Sequence, residues 1–369
     1  MIRGHKILLY PNKKQATYFA KASGVARFAY NWGLTEWKRR YEAGEKVTES
    51  SIRKALNAIK REQYPWMLEV TKCAPQIAIR NDLNKAFRNF FEKRAGYPKY
   101  RKKGIHDSFS ISNDHFETEG NKAWVPLLGW VKMAEELRFN GKIVSAVISR
   151  TADRWYVSIQ VELPDTETTP TSENQAVGVD LGVKALATLS DGTVIAGVKA
   201  GKQNERKLRR LNQELSHRQG ARKGEEKSSN FKKTKRKISR LYSKMANIRA
   251  NETHHLTTRL TREYGLIGIE DLDVQGMMSE HNIARRVADM SFFEFRRQLE
   301  YKAAASGVRV VVADRWFASS KICSACGNRY DELDLKEREW TCSKCGVHHD
   351  REINASINLR DYAIRSVSQ

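Results

Sequence analysis

The stretch CSKCGVHHDREINASINL, Cys342 to Leu359, decides how this chain is read. Its Cys-x-x-Cys knuckle is built to grip a metal, yet after four intervening residues comes Asp350, and behind it a run with helical spacing. A metal loop that stood alone as a domain would have no reason to end on a carboxylate. An insertion would: Asp350 then belongs to a larger core whose other acids lie upstream.

The knuckle has a twin. Cys323-x2-Cys326 precedes Cys342-x2-Cys345 by 15 residues, which is the spacing of a zinc ribbon. Each pair can set two thiolates on one edge of a tetrahedron, and Gly327 and Gly346, just after the pairs, permit the tight turn. Four sulfur ligands saturate zinc, so the expected role is one structural Zn2+. His348 and His349 compete as ligands, with a surface or supporting place the simpler reading. Thiols so arranged point to metal rather than disulfides in a reducing compartment, and Cys73, alone in a helical context, reads as a small buried residue.

The upstream acids are found by the same logic. AVGVDLG, from Ala176, is a buried-strand run ending on Asp180, and LIGIED, from Leu266, carries Glu270 at its end. If those strands are neighbours, Asp180, Glu270 and Asp350 converge. Clustered carboxylates repel unless cations screen them, and two magnesium ions roughly 3.5 to 4 Å apart are a recurrent solution that activates water on a phosphodiester. Asp271, Asp273 and Asp314 compete for the same part, and each acid alone has a plainer reading as a cap, turn residue or ion-pair partner.

Charge names the kind of partner. Of 369 residues, 66 are Lys or Arg and 43 Asp or Glu, a net +23, which suits a dense polyanion whose counterions are released on binding. The segment Lys199 to Ala250 holds 18 Lys or Arg against 4 Glu around two apolar stripes, and is expected to be a basic helical hairpin. Arg209, Arg210, Lys232, Lys233, Lys235 and Arg236 are its candidate contacts to an RNA or other nucleic-acid backbone. No apolar run approaches the roughly 18 residues needed to cross a bilayer. A cytoplasmic protein is expected.

Toward the N-terminus, HKILLY (His5 to Tyr10) reads as a strand, followed by helices over Gln15–Gly44, Thr48–Gln63 and about Pro75–Arg94. After YPKYRKKG the period becomes alternating: SFSISN, AWVPLLGWVKM, KIVSAVISR and RWYVSIQVEL are strand-like and, with HKILLY, are expected to close a small barrel. Tyr97 and Tyr100 beside Arg101, Lys102 and Lys103 can stack on bases or simply pack. Pro164 to Gln175 is polar and rich in Pro and Thr, and reads as a linker. Beyond it a three-stranded meander, the hairpin, a separate helix ETHHLTTRLTREYG, the Glu270 strand, another helix, the strand VRVVVAD, the cysteine loop and a last helix follow in order.

The motifs GVDLGVKALAT, GIEDL and HDREINASINL, with the four-cysteine ribbon just before the last, resemble the three RuvC motifs of the TnpB family, transposon-encoded RNA-guided DNA nucleases related to type V CRISPR effectors. IRGHKILLYPNKKQ, ARFAYNW, GYPKYRKKG, LGWVKM and RRQLEYKAA extend the likeness over most of the chain. The resemblance implies a mixed α/β, multidomain protein: an RNase H-like RuvC nuclease domain (166–320 and 349–369) with an inserted zinc ribbon (321–348), and a wedge β-barrel (1–14 and 96–165) interrupted by a helical recognition domain (15–95). It maps the catalytic acids onto Asp180, Glu270 and Asp350, places Arg338 near the scissile phosphate, and aligns Lys72 and Gln76, with Ser108 and Ser110 behind them, to readers of a short target-adjacent motif. Pro75 departs from the usual pattern there. The implied activity is magnesium-dependent cleavage of double-stranded DNA by a monomeric ribonucleoprotein carrying a guide RNA from the transposon end. A guided repressor without cleavage, or a guide-free nuclease or transposition accessory, are the alternatives.

Overall fold

The structure is a computed structural model describing residues 1–164, 175–218, 227–281, 283–334 and 336–368. The expected linker, save its end residues, and positions 219–226 of the hairpin loop lie outside the described residues. The chain divides into two compact units, Met1–Asp165 and Thr166–Gln369.

In the first unit, strand β1 (Ile2–Tyr10) leads into helix α1 (Lys13–Glu42). Asn12 accepts from the Gln15 N–H while the Gln15 side chain accepts from the Asn12 N–H, so two orphan donors are satisfied reciprocally. Phe19, Ala22, Ala26, Tyr30 and Leu34, one stripe of α1, are all buried. Helix α2 (Glu49–Gln63) opens on a cap in which Thr48 Oγ1 accepts from the Ser51 N–H. The third expected helix is in pieces: α3 (Cys73–Ile77), a wider π-helical turn over Ala78–Leu83, and α4 (Asn84–Phe91). Pro75 lies in the first turn, where its missing N–H has no intrahelical partner to lose. Phe91 is exposed and stacks on Phe87 past the edge of the core.

Strands β2 (Ser108–Ser112), β3 (Glu117–Glu119), β4 (Lys122–Val125), β5 (Gly129–Met133), β6 (Lys142–Thr151) and β7 (Arg154–Glu162) join β1 in a seven-stranded sheet of order β2-β6-β7-β1-β5-β4-β3. The edge strands β2 and β3 are not hydrogen-bonded to each other, so the expected barrel is an open sheet in its hydrogen bonding. Alternation fixes which face is buried; closure depends on stagger, which the pattern does not carry.

The second unit is built on β8 (Ala176–Leu181), β9 (Ala187–Leu189), β10 (Val194–Ile195), β11 (Leu266–Ile269) and β12 (Arg309–Val312), in the order β10-β9-β8-β11-β12. The first three form an antiparallel meander, while β8, β11 and β12 run parallel. The basic helices are α5 (Ala200–His217) and α6 (Ser229–Glu263). The expected separate helix over 252–265 does not exist: α6 runs through it unbroken. Nothing there breaks a helix, because the hydroxyls of Thr253, Thr257 and Thr261 each donate to the carbonyl four residues back. Short helices α7 (Val274–Ser279) and α8 (Ala284–Met290) precede α9 (Phe292–Ser306). After β12 come the cysteine loop with its hairpin β13 (Glu339–Thr341) and β14 (His348–Asp350), and then α10 (Arg351–Ser368). Among the described residues no helix is long and apolar enough to cross a membrane.

Helix α10 lies with its backbone directly on the sheet. A Cβ at Gly178 of β8 would collide with the Ser356 carbonyl, and one at Gly268 of β11 with the Leu359 carbonyl. Two glycines at the same level of adjacent parallel strands, paired in register, thus form the seat that sets the height of α10.

Candidate active site and metal centre

Strands β8 and β11 pair in parallel with Val179 opposite Ile269, which sets the next residues, Asp180 and Glu270, side by side at the carboxyl ends of the strands. Glu270 Oε1 accepts from the Leu181 N–H at 3.1 Å, locking the carboxylate beside Asp180. Burial, reinforced by the charge of Glu270, holds the Asp180 carboxyl well above the usual carboxylate range, and burial pushes Glu270 up to about 7. Neighbouring carboxyls whose ionised forms are disfavoured in this way are ones that a bound cation would relieve.

The third acid, the last residue of β14, stands at the head of α10. Asp350 Oδ1 accepts from the N–H groups of Glu352 and Ile353, both at 2.9 Å, so its plainer reading as a helix cap is also true. Glu352, two residues on, was not singled out by the sequence. It is only 19% exposed at the side chain, receives Arg338 Nη1 at 3.1 Å, and its charge bears on Asp180 more strongly than that of Asp350. The signal for it was available: an acid two positions after Asp350, in the same first turn. Arg338 itself is carried beside the centre by the hairpin, where Glu339 pairs with Asp350 and the Arg338 carbonyl accepts from Arg351 N.

The competing acids have other work. Asp271 binds Arg296 at 2.5 Å and Arg315 at 2.8 Å, Asp273 caps α7 through Gly276 N, and Asp314 accepts from Trp316 N. A cleft lined by Phe293, Arg296, Arg297 and Arg315 opens beside Glu270. Among the described residues the carboxylates are set more loosely than metal ligands: the group of His, Cys, Asp or Glu side chains whose ligand atoms all lie within 4.8 Å is that of the cysteines.

That group is Cys323, Cys326, Cys342 and Cys345. The two knuckles match: Gly327 N donates to Cys323 O and Gly346 N to Cys342 O, with both glycines in the left-handed region at φ of 72° and 71°. The four sulfurs can hold a zinc ion with no position left open. His349 Nε2 lies 3.0 Å from Cys323 Sγ and its ring packs on Trp340, so it supports a ligand instead of competing for the ion, while His348 pairs at the surface with Thr341 and Glu339. The base of the loop is clamped to α10. Asn354 accepts from Ser324 N and donates to Ile322 O, and Asn358 donates to the Ser319 and Ile322 carbonyls. Both asparagines are buried, and sequence reasoning passed over them.

In the first unit, Lys72 is exposed just before α3, and Gln76 donates to Asn57 of α2 at 2.7 Å. Ser108 and Ser110 alternate with buried Phe109 and Ile111 on β2, and Cys73 Sγ meets Ser112 Oγ at 3.4 Å, so α3 lies alongside that strand. Tyr97 packs edge-on against Phe87 and Phe90, and Arg101 lies over Tyr30 and binds Asp82. Those two have structural partners; Lys102 and Lys103 are exposed. On the hairpin, Leu211, Ile238, Leu241 and Met245 form a core between α5 and α6, while Arg209, Arg210, Lys232, Lys233, Lys235 and Arg236 face outward.

Comparison with known proteins gives matches along the chain. A family model described as "Probable transposase" matches residues 158–280, one described as "Cas12f1-like, TNB domain" residues 292–359, and one described as a helix-turn-helix domain residues 1–46. That last span holds β1 and the single helix α1, so no second helix forms within the matched part. A protein of Streptomyces pristinaespiralis, provisionally named an RNA-guided DNA endonuclease, is 35% identical over 97% of this chain and 88% of its own length. InsQ of Escherichia coli K12, with the same provisional name, is 30% identical over 97% and 91%. Among solved structures, Cas12f1 in complex with sgRNA and target DNA aligns with 95% of this chain and 83% of its own, with a TM-score of 0.57 at 15% identity, a likeness of fold.

Proposed function

Because the chain belongs to the TnpB family, we propose that it is an RNA-guided endonuclease that cleaves double-stranded DNA beside a short target-adjacent motif. The observation that carries the reading is Asp180 against Glu270 at the carboxyl ends of adjacent parallel strands, where open α/β sheets present their ligands. The strand order, a three-stranded meander extended by two parallel strands, supports an RNase H-like RuvC assignment for the second unit. The sheet of the first unit then serves as wedge and its helices as recognition domain, with a transposon-end guide RNA and target DNA as partners in the cytoplasm.

Asp180 and Glu270, with Asp350 at the end of β14 and Glu352 from α10, would hold two magnesium ions. When bound, these supply an activated water and stabilise the departing oxygen of the phosphodiester. The chain's own contribution is placement. The sheet fixes Asp180 and Glu270, and the glycine seat fixes the height of α10. Asp350 gives Oδ1 to capping and keeps Oδ2, and Glu352 stands two residues on, so both would serve the third ligand position. Arg338 neutralises Glu352 at rest and stands ready for a phosphate oxygen.

The test uses the complex with its copurified RNA and a matched duplex. Asp180→Asn is expected to lower the cleavage rate at least about 1,000-fold with guided target binding retained, and Asp350→Asn and Glu352→Gln each to lower it as well. Cutting by Asp180→Asn at the wild-type rate would move the active centre elsewhere. Sequencing of the copurified RNA separates a guided enzyme, with one defined species, from a guide-free nuclease.

A further inference from the structure

Two exposed rings stand near the carboxylates of the second unit and add little to its core. Trp316 is 85% exposed, and Phe293, in the first turn of α9, is 72% exposed. A lone exposed ring on a loose surface is ordinary. Trp316 is not on a loose surface. Strand β12 pairs with β11 through Val312 and Ile269, and Ala313 N donates to Ile269 O, so the chain leaves the sheet beside Glu270. Asp314 Oδ1 then accepts from Trp316 N, Asp314 O accepts from Phe317 N, and the Phe317 ring packs on Tyr362 of α10 at 4.8 Å. The backbone on both sides of Trp316 is pinned, while its indole has no ring or hydrogen-bond partner among the described residues.

The residue before it, Arg315, lines the cleft beside Glu270, as do Phe293 and Arg296. Arg315 and Arg296 share one carboxylate: Arg315 donates through Nε and Nη2 to Asp271 Oδ2, and Arg296 through Nη1 to Oδ1. Arg296 has Glu300 as a second acidic partner at 2.9 Å. Arg315 has only its share of Asp271, its side chain is half exposed, and its Nη1 is left for another anion. A flat ring and an under-neutralised guanidinium on consecutive residues match one nucleotide of an unpaired strand, whose base stacks and whose phosphate takes the guanidinium. Inside a duplex both faces of a base are covered by its neighbours. Such a pair of residues therefore selects a strand already separated from its complement.

We propose that Trp316 stacks on a base close to the scissile linkage of the unpaired DNA strand, with Arg315 on its phosphate and Phe293 under a further base. Local stacking then acts with guide pairing to decide which linkage enters the centre. The proposal rests on the DNA-cleaving reading and adds to it a determinant of cut position.

The full chain with its copurified RNA is given matched duplexes in which single abasic sites replace the nucleotides around the mapped cut, one at a time. At one of these positions the missing base should slow the wild type at least about tenfold, the size of one lost stack. Trp316→Ala should cut the intact duplex more slowly by a similar factor and be indifferent to that abasic site, because both changes remove the same contact. Its affinity for the target should match that of the wild type, and Trp316→Phe should recover most of the rate. A folding defect would slow every substrate alike and would not spare the abasic one. If no abasic position slows the wild type, or if the two losses add in the Ala variant, the proposal is overturned and the guided nuclease stands. Loss of the guide RNA from Trp316→Ala also overturns it, by making the ring an RNA contact. A wild type that cuts no matched duplex removes the DNA-cleaving reading and this proposal together.

Discussion

At the scale of single residues, the centre is governed by how much water two carboxylates can lose. Asp180 and Glu270 were legible in the sequence because an apolar run ending on an acid is what a buried strand looks like when it delivers a carboxylate to a sheet edge. Glu352 was not, because acids in the first turn of a helix are ordinary partners of the helix dipole. The raised Glu270 pKa gives a pH prediction. Its carboxyl binds protons more tightly folded than unfolded, so in metal-free buffer the group costs the fold nothing below about 4.5, costs more as the pH climbs to about 7, and holds that cost above. Glu270→Gln should therefore flatten the decline of the melting temperature between those limits. Magnesium should stabilise the wild type most above pH 7, where protons no longer compete with it; a Glu270→Gln melting curve that tracked the wild type at every pH would contradict this.

Among the elements, α10 joins everything that matters in the second unit. Its backbone rests on Gly178 and Gly268, Asp350 caps it, its first turn carries Glu352, and Asn354 and Asn358 clamp the ribbon to its side. The helix itself could be read from spacing, but the asparagines could not, since a polar residue on a helix is normally a solvated one. For the same reason the continuity of α6 escaped notice: its threonines look like helix-ending residues until their hydroxyls are seen bonding back within the helix. Gly178→Ala should destabilise the unit by more than about 3 kcal/mol in urea unfolding, because the helix backbone cannot yield as a side chain would. Cys342→Ser should lower bound zinc and the melting temperature together, because structural zinc supplies folding free energy. Through the clamp to α10 it should also reduce cleavage far more than guide binding. Normal cleavage with zinc absent would show the two sites to be independent.

For the whole molecule, the sequence was strongest on class and weakest on closure. Charge, ribbon spacing and ordered motifs pointed to the family that full-length relatives confirm, whereas the open edges of the first sheet depend on strand stagger, which no local pattern records. The net +23 makes a bulk prediction: affinity for RNA should fall by about a thousandfold or more between roughly 50 and 200 mM salt, as many phosphates are neutralised at once. A nearly flat salt response, measured by filter binding, would mean that the basic helices are solvated surface. The glycine seat also orders events in time. Asp180 and Glu270 leave the ribosome long before the helix that must settle over them, so on the proposed function an unfinished chain, or one stopped by a nonsense codon before residue 350, lacks Asp350 and Glu352 and should nick no DNA. Under that proposal the cell would be spared nuclease activity until synthesis has passed that point.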